Sequence, residues 1–588
     1  MSNGVIITPG LAHGALRRPE PQHDVLRQAQ AFRAERRSER VRALVAIAVM
    51  GLAFLTVAGQ LLRLAMQGQS EQRISINAPL ATAFARPDIV DRNGRLMASD
   101  IVMHSLVADP HVILDQDEIA DRLVTVLPDL DRKRVRNAIA DRSKRFAWIR
   151  RGLSPAEAQK VHDLGLPGLD FRPELRRAYP LGRSAGHVIG LVDIDNKGLQ
   201  GIERYLDERK NVEPVHGPSL SVRPPLRLSL DVAVQFAIEE ELAEAMRRYS
   251  AAAAVGLIMD VNSGEIVAAA SLPGLDPIVI DDRFDKNRID RLASGTYELG
   301  SIFKTFTAAL AFEGGVDPQK RFDVRQPLEV EGYPIRDLHP AGRPLTVTEI
   351  FLLSSNVGAG LLALNDGQQR QKAFLEKLGL TTPMSTEAGN VAPASLPVRW
   401  GDIETVTVSY GHGLAVTPLQ FAAASAALIN GGHRVKPTFL RKRGRSQKPA
   451  ERVISSETSH LIRQLMRENV ASNAGTGWRA AVAGLNVGGK TGTAEIAGIG
   501  GYKSKSVIAS FIGAFPMDKP RYLTLVCLFE PQGTKETGGH ITAGVNAAPT
   551  TARIISRISP LLGFLPNLEH TRTPDVGDRR FDGPRFPQ

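Results

Sequence analysis

Tyr297-Glu-Leu-Gly-Ser-Ile-Phe-Lys304, continued by Thr-Phe-Thr-Ala-Ala-Leu-Ala-Phe-Glu313, decides how the rest of the chain reads. It is a turn feeding a helix that stops at Gly314-Gly315. Ser301 falls on the first turn and Lys304 three residues later. Residues at i and i+3 share a helix face, so the amine can reach the hydroxyl. A serine hydroxyl is a weak nucleophile until a neighbouring base takes its proton. Lysine can be that base if burial or nearby cations hold it neutral. A helix N-terminus also offers N–H groups and positive dipole to a developing oxyanion. The competing reading is a helix-capping serine with a surface lysine behind it.

Working outward, this is the only Ser-x-x-Lys in the chain, and it has two companions. They are Ser354-Ser355-Asn356 and Lys490-Thr491-Gly492-Thr493. Ser-x-x-Lys, a Ser-Asp-Asn element and Lys-Thr-Gly form the set shared by penicillin-binding proteins and class A β-lactamases; here they occur in that order, with serine at the centre of the middle element. Each motif alone is weak; three polar motifs at these separations meet only if a fold brings them together.

The 588 residues suffice for two or three domains with their own cores. Before the first apolar run, residues 1–42 hold eight Arg against four acids, about a third of the net charge of +11. The remaining excess is thinly spread, without the aromatic-interleaved basic stripe that nucleic acid needs. Ala43 to Leu62 is twenty residues in which only Thr56 and Gln60 are clearly polar. As a helix it would span roughly 30 Å, the thickness of a bilayer core. The basic residues before it predict a cytoplasmic N-terminus. A cleavable signal would have small residues directly after a shorter apolar core, and here they come only at Ala81-Thr-Ala-Phe-Ala85. The expectation is an uncleaved single-pass anchor with the rest of the chain outside. One cysteine, Cys527, excludes an internal disulfide and any multi-Cys zinc site, and its apolar strand-like surroundings predict a buried inert thiol. His187, His412 and His540 have no second ligand at helical or hairpin spacing, so no metal is expected.

From residue 65 to 224 the chain carries short Gly-punctuated elements, a charged helical stretch from Asp117 to Ala140, and Arg86-Pro-Asp-Ile-Val-Asp-Arg-Asn-Gly94 entering an Asn-Gly turn. Nothing there assembles a reaction, so a spacer and docking surface is expected. After Pro224-Pro225 a short strand to Leu230 precedes a helix from Asp231 to Arg248 with Asp231 as N-cap. Ala253 to Asp260 and Ile266 to Ser271 form a hairpin. Thr346-Val-Thr-Glu349 is a capping box, and its helix runs into Ser354 and Asn356, placed on a turn between helices. Val487–Ile496, Ser506–Phe515 and Arg521–Glu530 read as an antiparallel meander, and Ala547 to Leu562 as a closing helix. The predicted fold class is α+β, a central antiparallel sheet flanked by helices. The predicted division is a basic tail (1–42), an anchor (43–64), a pedestal (65–224), a catalytic domain (225–565) and a disordered tail (566–588).

Gly484-Leu-Asn-Val-Gly-Gly-Lys-Thr491 matches the P-loop pattern letter for letter. A P-loop requires a helix right after its Lys-Thr. Here Gly492, Gly498, Gly500 and Gly501 follow, which suits a strand and hairpin.

The three motifs, the anchor and Arg86–Gly94 resemble the class B penicillin-binding proteins: single-pass peptidoglycan D,D-transpeptidases with a pedestal and a penicillin-binding domain. The resemblance runs from Ala43 to Leu562. Ser354-Ser-Asn-Val-Gly358 is similar to the division-type, FtsI-like branch. Leu299, where many relatives have proline, and Ile302, often threonine, are departures that flank the chemistry. The resemblance implies Ser301 as nucleophile, Lys304 as base, Ser354 as proton relay and Asn356 as holder of the lysine and donor peptide. It implies a positive field from Lys490 and binding of the donor carboxylate through Thr491, Gly492 and Thr493. Backbone N–H groups of Ser301 and Thr493 would form the oxyanion hole. It further implies D-Ala-D-Ala stem peptides as donor and acylation by β-lactams. A glycan polymerase of the SEDS family and other division proteins would be partners. The site would be periplasmic on an inner-membrane protein, and no cofactor is called for.

Three other readings stay open. A carboxypeptidase or β-lactamase would deacylate with water, and a β-lactamase would turn over penicillin rapidly. An elongation-type transpeptidase would give spheres rather than filaments on depletion. A non-catalytic scaffold would still function with Ser301→Ala.

Overall fold

The computed structural model describes residues 44–63, 83–215, 220–221, 223–442, 451–498 and 501–565. The basic tail (1–42) and the tail over 566–588 lie outside them. The chain forms two units, residues 1–79 and 80–588.

In the first, Leu44–Arg63 is one exposed helix, long and apolar enough to cross a membrane. The hydroxyl of Thr56 donates back to the carbonyls of Leu52 and Ala53, at 3.0 and 2.8 Å, so that hydroxyl is satisfied within the helix.

The second unit opens with the pedestal. Its long strand Leu96–Ala108 is flanked by Ala147–Leu153 and Leu169–Ala178 in antiparallel pairing. Helices Gln116–Val126, Arg132–Ala138 and Pro155–Asp163 start at Asp115, Asp131 and Ser154, whose side chains accept from first-turn N–H groups. They close a small core around Leu106, Ile119, Leu123, Val135 and Leu153. Beside it lies a buried charge network. Arg86 Nε and Arg177 Nε each meet Glu203 at 2.7 Å, Arg177 reaches Asp100 at 3.1 Å, and Arg86 reaches Asp207 at 2.6 Å. Burial raises the Asp100 carboxyl above its ordinary range, against the pull of Arg177 and Arg86.

Arg86–Gly94 joins pedestal to catalytic domain. Ile89–Val90 pairs in parallel with Leu226–Arg227. Asp91 accepts from the Val232 N–H at 3.1 Å, Asn93 donates to Asp231 at 2.9 Å, and Arg92 pairs with Glu265 at 3.0 Å. The Asn-Gly turn expected there is present. The strand expected over Leu226–Leu230 is shorter, Leu226–Arg227; beyond it Leu228 still donates to the Val90 carbonyl at 2.8 Å and also bridges Leu440.

The catalytic domain is built on five antiparallel strands: β1 (Ala253–Asp260), β2 (Ile266–Leu272), β3 (Gly488–Gly498), β4 (Gly501–Phe515) and β5 (Tyr522–Phe529), in the order β3-β4-β5-β1-β2. Side chains alternate across the sheet with period two. Leu523, Leu525 and Cys527 face one core, and Tyr522, Val526 and Leu528 the other. One face is covered by α1 (Val232–Arg248), whose N-cap is Asp231 as read from the sequence, and by α7 (Ala547–Ile558). On the other lie α2 (Lys304–Glu313), α3 (Val347–Leu353), α4 (Asn356–Asp366), α5 (Pro418–Ile429) and α6 (Ser456–Ala471), with Phe303, Phe306 and Phe421 stacked between them at centroid distances of 5.2 to 5.7 Å. Cys527 is fully buried, accepts weakly from Ser510 at 3.4 Å, and burial pushes its thiol up to about 12.

Candidate active site

Ser301 sits in a single 3-10 turn, Gly300–Phe303, that leads into α2. The sequence suggested an α-helical first turn; the tighter turn arises where Gly300 takes φ +60°, a conformation open to glycine. A methyl group on Gly300 would lie 2.7 Å from the Thr493 carbonyl oxygen. One on Gly492 would lie 2.5 Å from the Leu299 carbonyl oxygen. The serine turn therefore rests directly on β3, and glycine on both sides is what permits it.

Strand β3 carries Lys490 to Thr493, registered by β4: Lys490 opposite Ile512 and Thr493 opposite Ala509. The Lys-Thr is inside a strand, which disposes of the P-loop pattern. The third contribution comes from the junction of α3 and α4. Thr346 and Glu349 make the expected capping box at the start of α3. Ser354 ends α3 at φ +59°, ψ +40°, Ser355 caps α4, and Asn356 is its first residue. The turn expected over Ser354–Asn356 is thus two residues wide, with Asn356 already helical.

These elements converge on Lys304, which is 2 % exposed. Its Nζ lies 3.0 Å from Ser301 Oγ, 2.6 Å from the Ser354 carbonyl, 2.7 Å from Asn356 Oδ1 and 3.2 Å from Ser354 Oγ. The carbonyl and amide oxygens can only accept. A neutral amine that donates its two hydrogens to them keeps its lone pair for Ser301. Burial drives Lys304 well below the ordinary lysine range, and the Lys490 cation adds to this, while Asp337 works in the opposite direction.

Lys490 is fully buried, and desolvation lowers its ammonium to about 7. It donates to Ser354 Oγ at 3.0 Å and to the Thr491 carbonyl at 3.1 Å, and lies 5.7 Å from the centroid of Phe351. Ser354 Oγ therefore stands between two amines. Farther along β3, the Thr491 hydroxyl donates to Thr476 Oγ at 2.7 Å, and Thr493 Oγ accepts from the Ala543 N–H at 3.1 Å, keeping its own hydrogen to donate.

The fold brings together Ser301, Lys304, Ser354, Asn356 and Lys490 through direct contacts, and sets Thr491, Gly492 and Thr493 on the adjoining strand. Sequence reasoning missed three residues that hold them. Asp337 takes hydrogen bonds from Ser355, Asn356 and Val357. Asn469, fully buried on α6, accepts from Thr476 at 3.0 Å and donates to the Gly489 carbonyl at 2.8 Å. Thr476 in turn meets Thr491. No local pattern marks any of them. Among the described residues, no group of three His, Cys, Asp or Glu could hold a metal ion.

The chain is similar to known proteins over most of its length. Residues 254–550 match the model of the penicillin binding protein transpeptidase domain, and residues 82–212 that of the penicillin-binding protein dimerisation domain. The chain is 39% identical to a probable peptidoglycan D,D-transpeptidase FtsI of Caulobacter vibrioides, over 82% of each chain. It is 32% identical to a probable peptidoglycan D,D-transpeptidase PenA of Neisseria meningitidis, over 82% of this chain and 85% of that one. With the peptidoglycan D,D-transpeptidase FtsI of Escherichia coli K12 the identity is 30%, over 79% and 82%.

Proposed function

The chain belongs to the class B, FtsI-like penicillin-binding proteins, and from that premise we infer that it is a septal peptidoglycan D,D-transpeptidase working through a serine acyl-enzyme. The observation that carries the residue assignment is the buried contact of Lys304 Nζ with Ser301 Oγ, backed by oxygens that take the amine's hydrogens.

In the proposed reaction Ser301 Oγ attacks the carbonyl of the penultimate D-Ala of a donor stem peptide, and its proton passes to Lys304. The oxyanion is held by the N–H groups of Ser301 and Thr493. As the intermediate collapses, the C–N bond breaks. The leaving D-Ala amine receives a proton through Ser354 Oγ, which lies between Lys304 and Lys490. Thr491 and Thr493, with the Lys490 charge and close passage at Gly492, would bind the terminal carboxylate. An amine of a neighbouring stem peptide then attacks the ester, surrenders a proton, and Ser301 leaves with its hydrogen restored. One amide is exchanged for another, so no external energy source or cofactor is required. A β-lactam presents a strained amide to the same serine and stops at the ester.

We take the apolar helix, long enough to cross a bilayer, to anchor the protein in the membrane. We place its N-terminus in the cytoplasm, on the basic residues before the helix, and the catalytic domain in the periplasm. The pedestal and catalytic domain are taken to divide near residue 224. A SEDS-type glycan polymerase and other division proteins are the partners that the FtsI likeness suggests. The test is mass mapping of the full-length protein after penicillin treatment. A single adduct on the peptide containing Ser301 is expected; an adduct elsewhere would reject the assignment.

A further inference from the structure

We infer that Asp337 is a positioning residue for this reaction: its carboxylate holds the turn from Ser354 to Val357 so that two oxygens converge on Lys304 Nζ. The inference rests on the reading of Ser301 and Lys304 given above. Asp337 belongs to none of the three motifs. It follows the short strand Tyr333–Ile335, and only the fold brings it to the start of α4.

One carboxylate there satisfies three donors. Oδ1 accepts from the backbone N–H of Asn356 and, at 2.9 Å, from that of Val357; Oδ2 accepts from the Ser355 hydroxyl at 2.6 Å. Ser355 Oγ in turn accepts from the Gly358 N–H at 2.9 Å. The first turn of α4 is thereby filled, with a negative group at its positive end.

Asn356 is the shared piece. Its N–H is held by Asp337, while its side-chain oxygen reaches Lys304 at 2.7 Å. Its other side-chain atom donates to the Arg336 carbonyl at 3.4 Å, the residue before Asp337. Ser354, whose carbonyl is the closest acceptor for Lys304, sits in the left-handed region without being glycine. Such a conformation persists only where its surroundings impose it. The carboxylate grips the turn immediately after that residue. A displaced turn would withdraw both oxygens from the amine, and the lone pair would no longer be directed at Ser301.

Asp337 also faces Lys304 electrostatically, opposite in sign to Lys490. Burial lowers His412, which lies in the field of Glu298 and Glu495 and also feels the Lys304 charge. Removing the Asp337 charge therefore has a direction. It weakens the hold on the lysine's proton, so the base becomes available at lower pH.

The test uses the full-length protein in detergent and the second-order rate of acylation by a fluorescent penicillin from pH 5 to 10. Asp337→Asn keeps the shape and an oxygen for the two amides but not the charge. We expect its plateau to stay within about tenfold of wild type and its acid limb to move down by about half a pH unit or more. Asp337→Ala loses the grip as well, and its plateau should fall by about 10²-fold. An unmoved acid limb in Asp337→Asn, the signature of a merely structural residue, would overturn the inference. So would a wild-type plateau in Asp337→Ala. If Asp337→Ala does not fold, the limb of Asp337→Asn decides alone. Ser301→Ala is run in parallel: labelling there would reject the nucleophile assignment itself. Silence there, with wild-type profiles for Asp337→Asn and Asp337→Ala, would reject only the role of Asp337.

Discussion

Lys490 Nζ lies 3.0 Å from Ser354 Oγ, so a fully buried lysine of one sheet strand is tied to a serine at a helix junction 136 residues earlier. The contact joins the second motif to the third, and through Ser354 to Lys304. Its cost is the burial of an amine.

That cost is measurable. In the unfolded chain Lys490 titrates near 10.4, whereas burial holds it at about 7 in the fold. Between these values the unfolded state binds more protons, so stability should rise with pH across that window. Lys490→Met removes the penalty, on the order of a few kcal/mol. We expect a higher melting temperature than wild type at pH 7, a gain that shrinks towards pH 10, and loss of acylation. A Lys490→Met protein less stable at pH 7 than at pH 10, relative to wild type, would contradict the burial argument.

A second expectation concerns Gly300. Alanine there would adopt an unfavourable positive φ and meet the Thr493 carbonyl at 2.7 Å. The conformational cost alone is about 1–2 kcal/mol. Gly300→Ala should lower stability by at least that and slow acylation by about tenfold or more, since the serine turn must lift off β3. Thermal unfolding and acylation rate of the same preparation check it.

The pedestal offers an independent test. Arg86 and Arg177 share the buried Glu203. Arg86→Ala leaves that carboxylate short of a partner, and breaking a buried pair costs roughly 3–5 kcal/mol. A fall of this size in urea-unfolding free energy is expected. An unchanged unfolding midpoint would show that the network contributes nothing net.

Much of the catalytic domain could be read from the residues because its signals are local. The near-continuous apolar run Tyr522–Phe529 marks a strand buried on both faces. Asp231 and the Thr346–Glu349 box mark helix starts, and Gly314 a helix end. The burial of Cys527 follows from its neighbours. What escaped was long-range. Asp337 grips residues 18 to 20 positions away, and Asn469 reaches Gly489 across 20. In the pedestal, Arg86 finds Glu203 and Asp207 across 117 and 121 residues. Charged side chains default to solvent, so nothing in the order of residues says that Arg86 and Glu203 are buried together. The 3-10 turn at Ser301 was missed for a related reason: it depends on contact with β3, nearly two hundred residues later.

The most direct measurement is the second-order rate of acylation of full-length protein by a reporter β-lactam, for wild type, Ser301→Ala, Lys304→Ala and Lys304→Arg, each checked for folding. Loss of Ser301 should abolish covalent labelling while leaving the protein folded, since the Ser301 hydroxyl caps neither the 3-10 turn nor α2. Lys304→Ala should slow acylation by about 10²- to 10⁴-fold. Lys304→Arg should recover little of it, because a guanidinium keeps its proton. In wild type the rate should reach half its maximum well below the ordinary lysine range, as the burial of Lys304 requires. Wild-type acylation in Lys304→Arg would remove the lysine from the mechanism, and labelling that persists in Ser301→Ala would contradict the assignment as a whole.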